Sequence, residues 1–223
     1  MTYNIAIDGP AGAGKSTIAR QVARALGYIY VDTGAMYRAM ALHILKQGID
    51  PKDADAVAQA CKGADIDIRY ENGEQQIILN GENVTGELRR EEVGNTASRT
   101  SVYGCVREKL TQLQKDLAGR ENVVMDGRDI GTSVLPAAQA KIYLTASSRT
   151  RAERRCLELK QKGIEGNIDE IEADINERDY RDMHREISPL CQAADAHLVD
   201  SSEMTIDEVT DAILSICRNA GCR

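Results

Sequence analysis

The sequence predicts an α/β domain built on a five-stranded parallel sheet flanked by helices, and three observations carry that prediction. Five short apolar runs are bounded by polar or glycine-rich residues, the pattern of strands buried on both faces. Stretches of helical period separate the runs, and alternation of strand with helix is the mark of parallel βαβ units. The first run also feeds a glycine-rich loop that opens straight into a helical stretch.

In chain order, the expected strands are 4–8, 28–32, 122–126, 141–145 and 197–200. Helices are expected over 15–26, directly after the first strand, and over 35–47 after the second. Between 102 and 117, Val102, Val106, Leu110, Leu113 and Leu117 recur at helical spacing and make an apolar stripe. Further helical patterns cover 148–162, 168–185 and 205–218. One stretch breaks the alternation. Ile66, Ile68 and Tyr70 alternate with polar residues, and Asn72-Gly73 and Asn80-Gly81 bracket Ile77-Ile78-Leu79. Asn-Gly favours the tight hairpin turn, so 65–86 reads as a small three-stranded antiparallel insert beside the main sheet.

Composition narrows the function. A net charge of −7 disfavours a generally basic nucleic-acid binder. Phe and Trp are absent and the eight tyrosines are not regularly spaced, which gives no support to a stacking platform for single strands. The six cysteines form no C-x-x-C pair, so a zinc ribbon is not expected. No run approaches the roughly 18 apolar residues of a membrane span, and the first residues lack the charged and apolar regions of a signal peptide. The expectation is a cytoplasmic protein with reduced thiols and neither nucleic acid nor membrane as partner.

The strongest local signal is Gly9-Pro10-Ala11-Gly12-Ala13-Gly14-Lys15-Ser16-Thr17, which matches G-x-x-x-x-G-K-[ST] in its required strand-loop-helix setting. Successive backbone N–H groups and a helix N-terminus make an anion cradle there. Lys15 is placed to reach β and γ phosphates, and the Ser16 hydroxyl to ligate Mg²⁺. The chain has no Asn-Lys pair, hence no N-K-x-D guanine reader, so adenine is the expected base.

Three arginine-bearing segments are the other candidates. Arg38 lies one turn into a helix that starts at a strand's carboxyl end, where open α/β sheets bind ligands, although a solvated helix arginine fits equally well. Asp126 closes an apolar strand as a Walker-B carboxylate does, with Arg128 and Asp129 following; a surface ion pair is the alternative. Arg178, Asp182 and Arg185 share a helical face, as do Arg151, Arg154 and Arg155, and a solvated i,i+4 ladder gives the same spacing. Beside a phosphate loop, these arginines describe a phosphoryl-transfer site, in which guanidiniums neutralise charge on the moving group.

Taken together, Gly9 to Thr17, Asp32 to Arg38, Asp126 to Gly131, Arg151 to Arg155 and Arg178 to Asp182 closely resemble the bacterial cytidylate kinases, P-loop kinases of nucleoside monophosphates. The resemblance runs in order along nearly the whole chain. It implies transfer of the γ-phosphate of ATP to CMP or dCMP by a monomer that uses Mg²⁺. It also implies one kinase domain over 1–223, with a core of 1–33, 101–147 and 186–223, a monophosphate-binding lobe at about 34–100 and a helical lid at about 148–165. Lys15, Arg128 and Arg155 are then catalytic, and residues 9–17 with Arg151 hold ATP. Of the CMP-binding residues, Thr33 is a hydroxyl residue near the nucleotide, Arg38, Arg128 and Arg185 take the phosphate, Arg178 and Asp182 the sugar, and Ser98, Arg107 and Asp129 the base. The chain departs from some relatives at Ala11, which removes a hydroxyl from the loop, and at Arg149, which adds charge to the lid.

Overall fold

The computed structural model describes residues 2–161 and 163–222, and the chain divides into two compact units, Met1–Tyr30 with Glu121–Arg223, and Val31–Arg120. The first unit is built on the parallel sheet. Its strands are β1 (Asn4–Asp8), β2 (Ile29–Asp32, crossing into the second unit), β6 (Val123–Gly127), β7 (Ala140–Thr145) and β8 (His197–Asp200), in the spatial order β2-β6-β1-β7-β8. The strand β1 pairs in parallel with β6 on one side, Ile7 opposite Asp126, and with β7 on the other, Ile7 opposite Ile142. The direction of winding reverses at β1, which makes its carboxyl end the switch point where such sheets bind ligands.

One face of this sheet is covered by α1 (Lys15–Leu26) and α8 (Ile206–Asn219). Ile5 and Ile7, two apart and therefore on the same face of β1, pack with Ile142, Leu144, Ile18, Val22, Ile213 and Leu214 in one buried cluster. Thr205 starts α8 with a capping box: its hydroxyl accepts from the Glu208 N–H while the Glu208 carboxylate accepts from the Thr205 N–H. The unit also holds α6 (Ser148–Gln161) and α7 (Ile168–His184). The helix expected over 148–162 is thus found to 161; position 162, also inside the expected lid, lies outside the described residues. Two expectations need correction here. The strand β8 is exposed except at Val199, because it is the sheet's edge, not a strand buried on both faces. And α7 stops at His184: Arg185 is extended (φ −68°, ψ 145°), so it does not continue the helical face of Arg178 and Asp182.

The second unit, Val31–Arg120, contains α2 (Thr33–Lys46), α3 (Ala54–Gly63), the insert strands β3 (Ile66–Glu71), β4 (Glu74–Leu79) and β5 (Glu82–Asn83), then α4 (Glu91–Thr100) and α5 (Gly104–Ala118). The insert is the three-stranded antiparallel sheet that the two Asn-Gly pairs predict. Both pairs have positive φ at each residue (53° and 78°, 50° and 86°), as a type I′ turn requires. The helix α5 begins two residues later than its stripe suggests: Val102 is exposed in the preceding turn, while Val106 and Leu110 are buried. The helices α3 and α4 were not expected, and by compactness α5 groups with this unit instead of with the sheet.

Candidate active site

The phosphate loop occupies the carboxyl end of β1, and its geometry is fixed by glycine. Gly9 has φ 149°, and a Cβ there would come within 1.9 Å of the Leu144 carbonyl oxygen, so no side chain fits. Gly12 and Gly14 take left-handed φ values of 77° and 84°, and Gly14 is the N-cap of α1, its carbonyl accepting from the N–H groups of Thr17 and Ile18. Pro10 and Ala13 are buried within the loop, and no acidic residue lies in the first turn of α1. No carboxylate of the helix's own first turn therefore competes for its N–H groups.

Lys15 is buried and donates to the Pro10 carbonyl at 2.7 Å. Burial above all, and then the Arg128 guanidinium, hold its ammonium well below the usual lysine range, so the site disfavours a charge that nearby phosphate oxygens would favour. Ser16 donates to Asp126 Oδ2 and Tyr30 to Asp126 Oδ1, each at 2.9 Å. A hydroxyl and a carboxylate beside a phosphate cradle are hard oxygen donors, the set Mg²⁺ takes together with phosphate oxygens.

Beyond the carboxyl end of β6, charged groups are laced in pairs. Arg128 Nε donates to Asp182 Oδ2 at 2.8 Å, and Arg185 Nη2 lies 3.4 Å from Asp129 Oδ1. Burial by itself raises the Asp182 carboxyl, but Arg128, Arg178 and Arg185 outweigh it and hold the group below the ordinary carboxylate range. Arg178 lies one turn before Asp182 on α7. Asp8, at the last position of β1, accepts from the Ile130 and Gly131 N–H groups at 2.8 and 2.7 Å. Its carboxyl is pushed up to about 6, chiefly by burial.

The arginines at 151–155 do not converge. Arg151 is buried and donates to the carbonyls of Ala146 and Ala11 and, at 2.6 Å, to Asp179 Oδ2; Asp179 Oδ1 in turn accepts from the Ala11 N–H. Arg154 donates to the Ser201 carbonyl and hydroxyl, and Arg155 is exposed and paired with Glu158. Within the second unit, Asp32 caps α2 through the Ala35 N–H; Thr33 follows it, buried, and Arg38 is half-buried a turn later. Ser98 is half-buried on α4, and its carbonyl accepts from the Ser101 hydroxyl. Arg107 is buried on α5, donates to the Ser101 carbonyl and stands 5.8 Å over the Tyr37 ring. Thus α2, α4 and α5 gather Tyr37, Ser98 and Arg107 in one unit.

Sequence reasoning missed Asp8, Asp179 and Tyr30. A signal existed for the first: an acid closing an apolar strand immediately before the phosphate loop must find buried partners.

A phosphate loop at the switch point of a parallel sheet, with a buried lysine, a hydroxyl–carboxylate pair and arginine–carboxylate pairs beyond the next strand, defines the P-loop phosphotransferases that act on nucleotides. Residues 5–219 match the profile of the Cytidylate kinase family, and the chain belongs to that family. It is 48% identical over 212 residues to a cytidylate kinase of Lactobacillus johnsonii, covering 95% of this chain and 92% of the relative. A cytidylate kinase of Caldicellulosiruptor bescii is 49% identical over 213 residues, covering 96% and 94%. The fold is also shared with an uncharacterised protein from Eubacterium ventriosum, at a TM-score of 0.52, 12% identity and full coverage of both chains. Among the described residues, no helix is long and apolar enough to cross a membrane.

Proposed function

We propose that the chain transfers the γ-phosphate of ATP to CMP or dCMP, yielding ADP and CDP or dCDP, as a cytoplasmic monomer serving pyrimidine nucleotide metabolism. The observation that carries this reading is the meeting, in one unit, of the phosphate loop with Lys15 and the Ser16–Asp126 pair and of the arginine–carboxylate pairs at 128–129 and 182–185. Loop residues 9–17 receive the ATP phosphates on backbone N–H groups. Lys15 exchanges the Pro10 carbonyl for β and γ oxygens, and Arg128 balances the charge on the moving group. Ser16, with Asp126 behind it, would hold Mg²⁺, which when bound would neutralise phosphate oxygens. Arg155 reaches the phosphates by leaving Glu158 as the lid at 148–165 closes. Arg151 acts on ATP through the Ala11 peptide that it holds.

On the acceptor, Thr33, Arg38, Arg128 and Arg185 serve the phosphate end, and Arg178 and Asp182 the sugar. Cytosine offers a donor at N4 and acceptors at N3 and O2, whereas uracil inverts two of these. Asp129 and Ser98 suit the first and Arg107 the second and third. A mismatched base leaves buried polar groups unpaired at about 1–3 kcal/mol each, so kcat/KM for CMP exceeds that for UMP by at least roughly tenfold. A coupled ADP-release assay across CMP, dCMP, UMP, AMP and shikimate tests this, with Asp129→Ala expected to lower kcat/KM for CMP and narrow the CMP:UMP ratio. Equal use of UMP, or turnover indifferent to CMP, would refute the assignment.

A further inference from the structure

Asp129 begins the turn Ile130–Val134, a single π-helical turn, with φ −146° and ψ 27°, yet its side chain does not cap that turn. An aspartate in that position ordinarily accepts from the N–H groups that follow it. Here another carboxylate does so. Asp8, 5% exposed, spends one oxygen on the Ile130 N–H (2.8 Å) and the other on the Gly131 N–H (2.7 Å), a fork of two charge-assisted hydrogen bonds. Gly131 sits under this fork: a Cβ there would touch Asp8 Oδ2 at 3.4 Å and press on Lys141 Cδ at 3.2 Å. The consequence is that the Asp129 carboxylate is kept out of its own turn and turned toward Arg185, 3.4 Å away.

We propose that Asp8 is a positioning residue for recognition of the acceptor base, fixing the direction in which Asp129 presents its carboxylate by holding the next two peptide groups. Because Asp8 also precedes Gly9, one carboxylate ties the start of the phosphate loop to the acceptor-reading turn. The inference rests on the assignment of Asp129 to the cytosine amino group.

Two variants test it. Asp8→Asn replaces one accepting oxygen with an N–H₂ that faces a peptide N–H. Gly131→Ala adds a methyl that presses on Lys141 Cδ and touches Asp8 Oδ2 while leaving every charge in place, and it carries the test if Asp8→Asn fails to fold. Each is expected to lower kcat/KM for CMP on the order of tenfold, mainly through KM for CMP, and to narrow the CMP:UMP ratio. A merely structural role would depress both acceptors alike and leave the ratio unchanged. Combining Gly131→Ala with Asp129→Ala is expected to add nothing to the ratio change of Asp129→Ala alone, since both act through one carboxylate. If Asp129→Ala narrows the ratio and the folded fork variants do not, the positioning role is overturned. If Asp129→Ala itself leaves the ratio untouched, the base assignment falls, and the inference with it.

Discussion

Arg151 offers a test that separates a strut from a lid side chain. By family resemblance it is an ATP ligand, yet it is buried, donates to the Ala146 and Ala11 carbonyls at 2.9 Å each, and pairs with Asp179 at 2.6 Å. Arg151→Met leaves the Asp179 carboxylate, 7% exposed, with the Ala11 N–H at 3.3 Å as the partner remaining from this clamp. Removing one partner of a buried ion pair costs about 3–5 kcal/mol, several times the roughly 0.5–1.5 kcal/mol of a neutral hydrogen bond. Against a typical total stability of about 5–15 kcal/mol that is a large share, and it shifts a urea midpoint by about 1–2 M. Adding Asp179→Leu removes the stranded charge and is expected to restore part of the loss, which a double-mutant cycle reads directly. Unfolding followed by circular dichroism, with KM for ATP measured alongside, is the assay. A midpoint unchanged in Arg151→Met, with KM for ATP raised, would show an arginine that waits for ATP and braces nothing.

Two further outcomes follow from the same site and core. Lys15→Ala should fold normally, because it removes a charge that burial and Arg128 already disfavour, yet lose on the order of 10²-fold or more in kcat; near-normal turnover would remove Lys15 from the mechanism. The thiols are all free, and burial pushes Cys61 up to about 11 and Cys217 up to about 12, whereas Cys191 is exposed. Alkylation at pH 8 followed by peptide mapping should mark Cys191 first and leave Cys217 untouched in the native protein, with a melting temperature indifferent to dithiothreitol; early labelling of Cys217 would contradict its burial.

The five sheet strands, the phosphate loop and the Asn-Gly insert were legible because each is written locally, in apolar runs or in residues that only one backbone conformation accepts. The strand β2 starts one residue later than its apolar run suggests, and β6 is displaced by one. The helix α4 was hidden because its buried face, Val93, Thr96, Ala97 and Thr100, carries two threonines, and Gly94 and Asn95 interrupt its propensity. The helix α3 is only ten residues long and buries only Val57, Ala60 and Cys61, with Asp53 as its cap. At the site, the phosphate loop could be read from spacing alone, but Ile130 and Gly131 lie 122 and 123 residues from Asp8, and Arg151 and Ala11 lie 28 and 168 from Asp179. No periodicity reports such contacts. Arg185 shows the opposite error, since a regular spacing was carried past the point where the backbone leaves the helix.

The central place of β1 bears on how the chain is made. Among the described sheet strands β1 is synthesised first, and it pairs with Val123–Gly127 and with Ala140–Tyr143, so it remains without these partners until Val123 and the residues after it have been added. At roughly 5–20 residues per second, the 119 positions separating Asn4 from Val123 represent about 6–24 s of waiting for an apolar strand. Val31–Arg120, by contrast, emerges without a break, and its hairpin strands close across two-residue turns. Synthesis therefore delivers the segment that carries Ser98 and Arg107 before the phosphate loop acquires the sheet on which it stands.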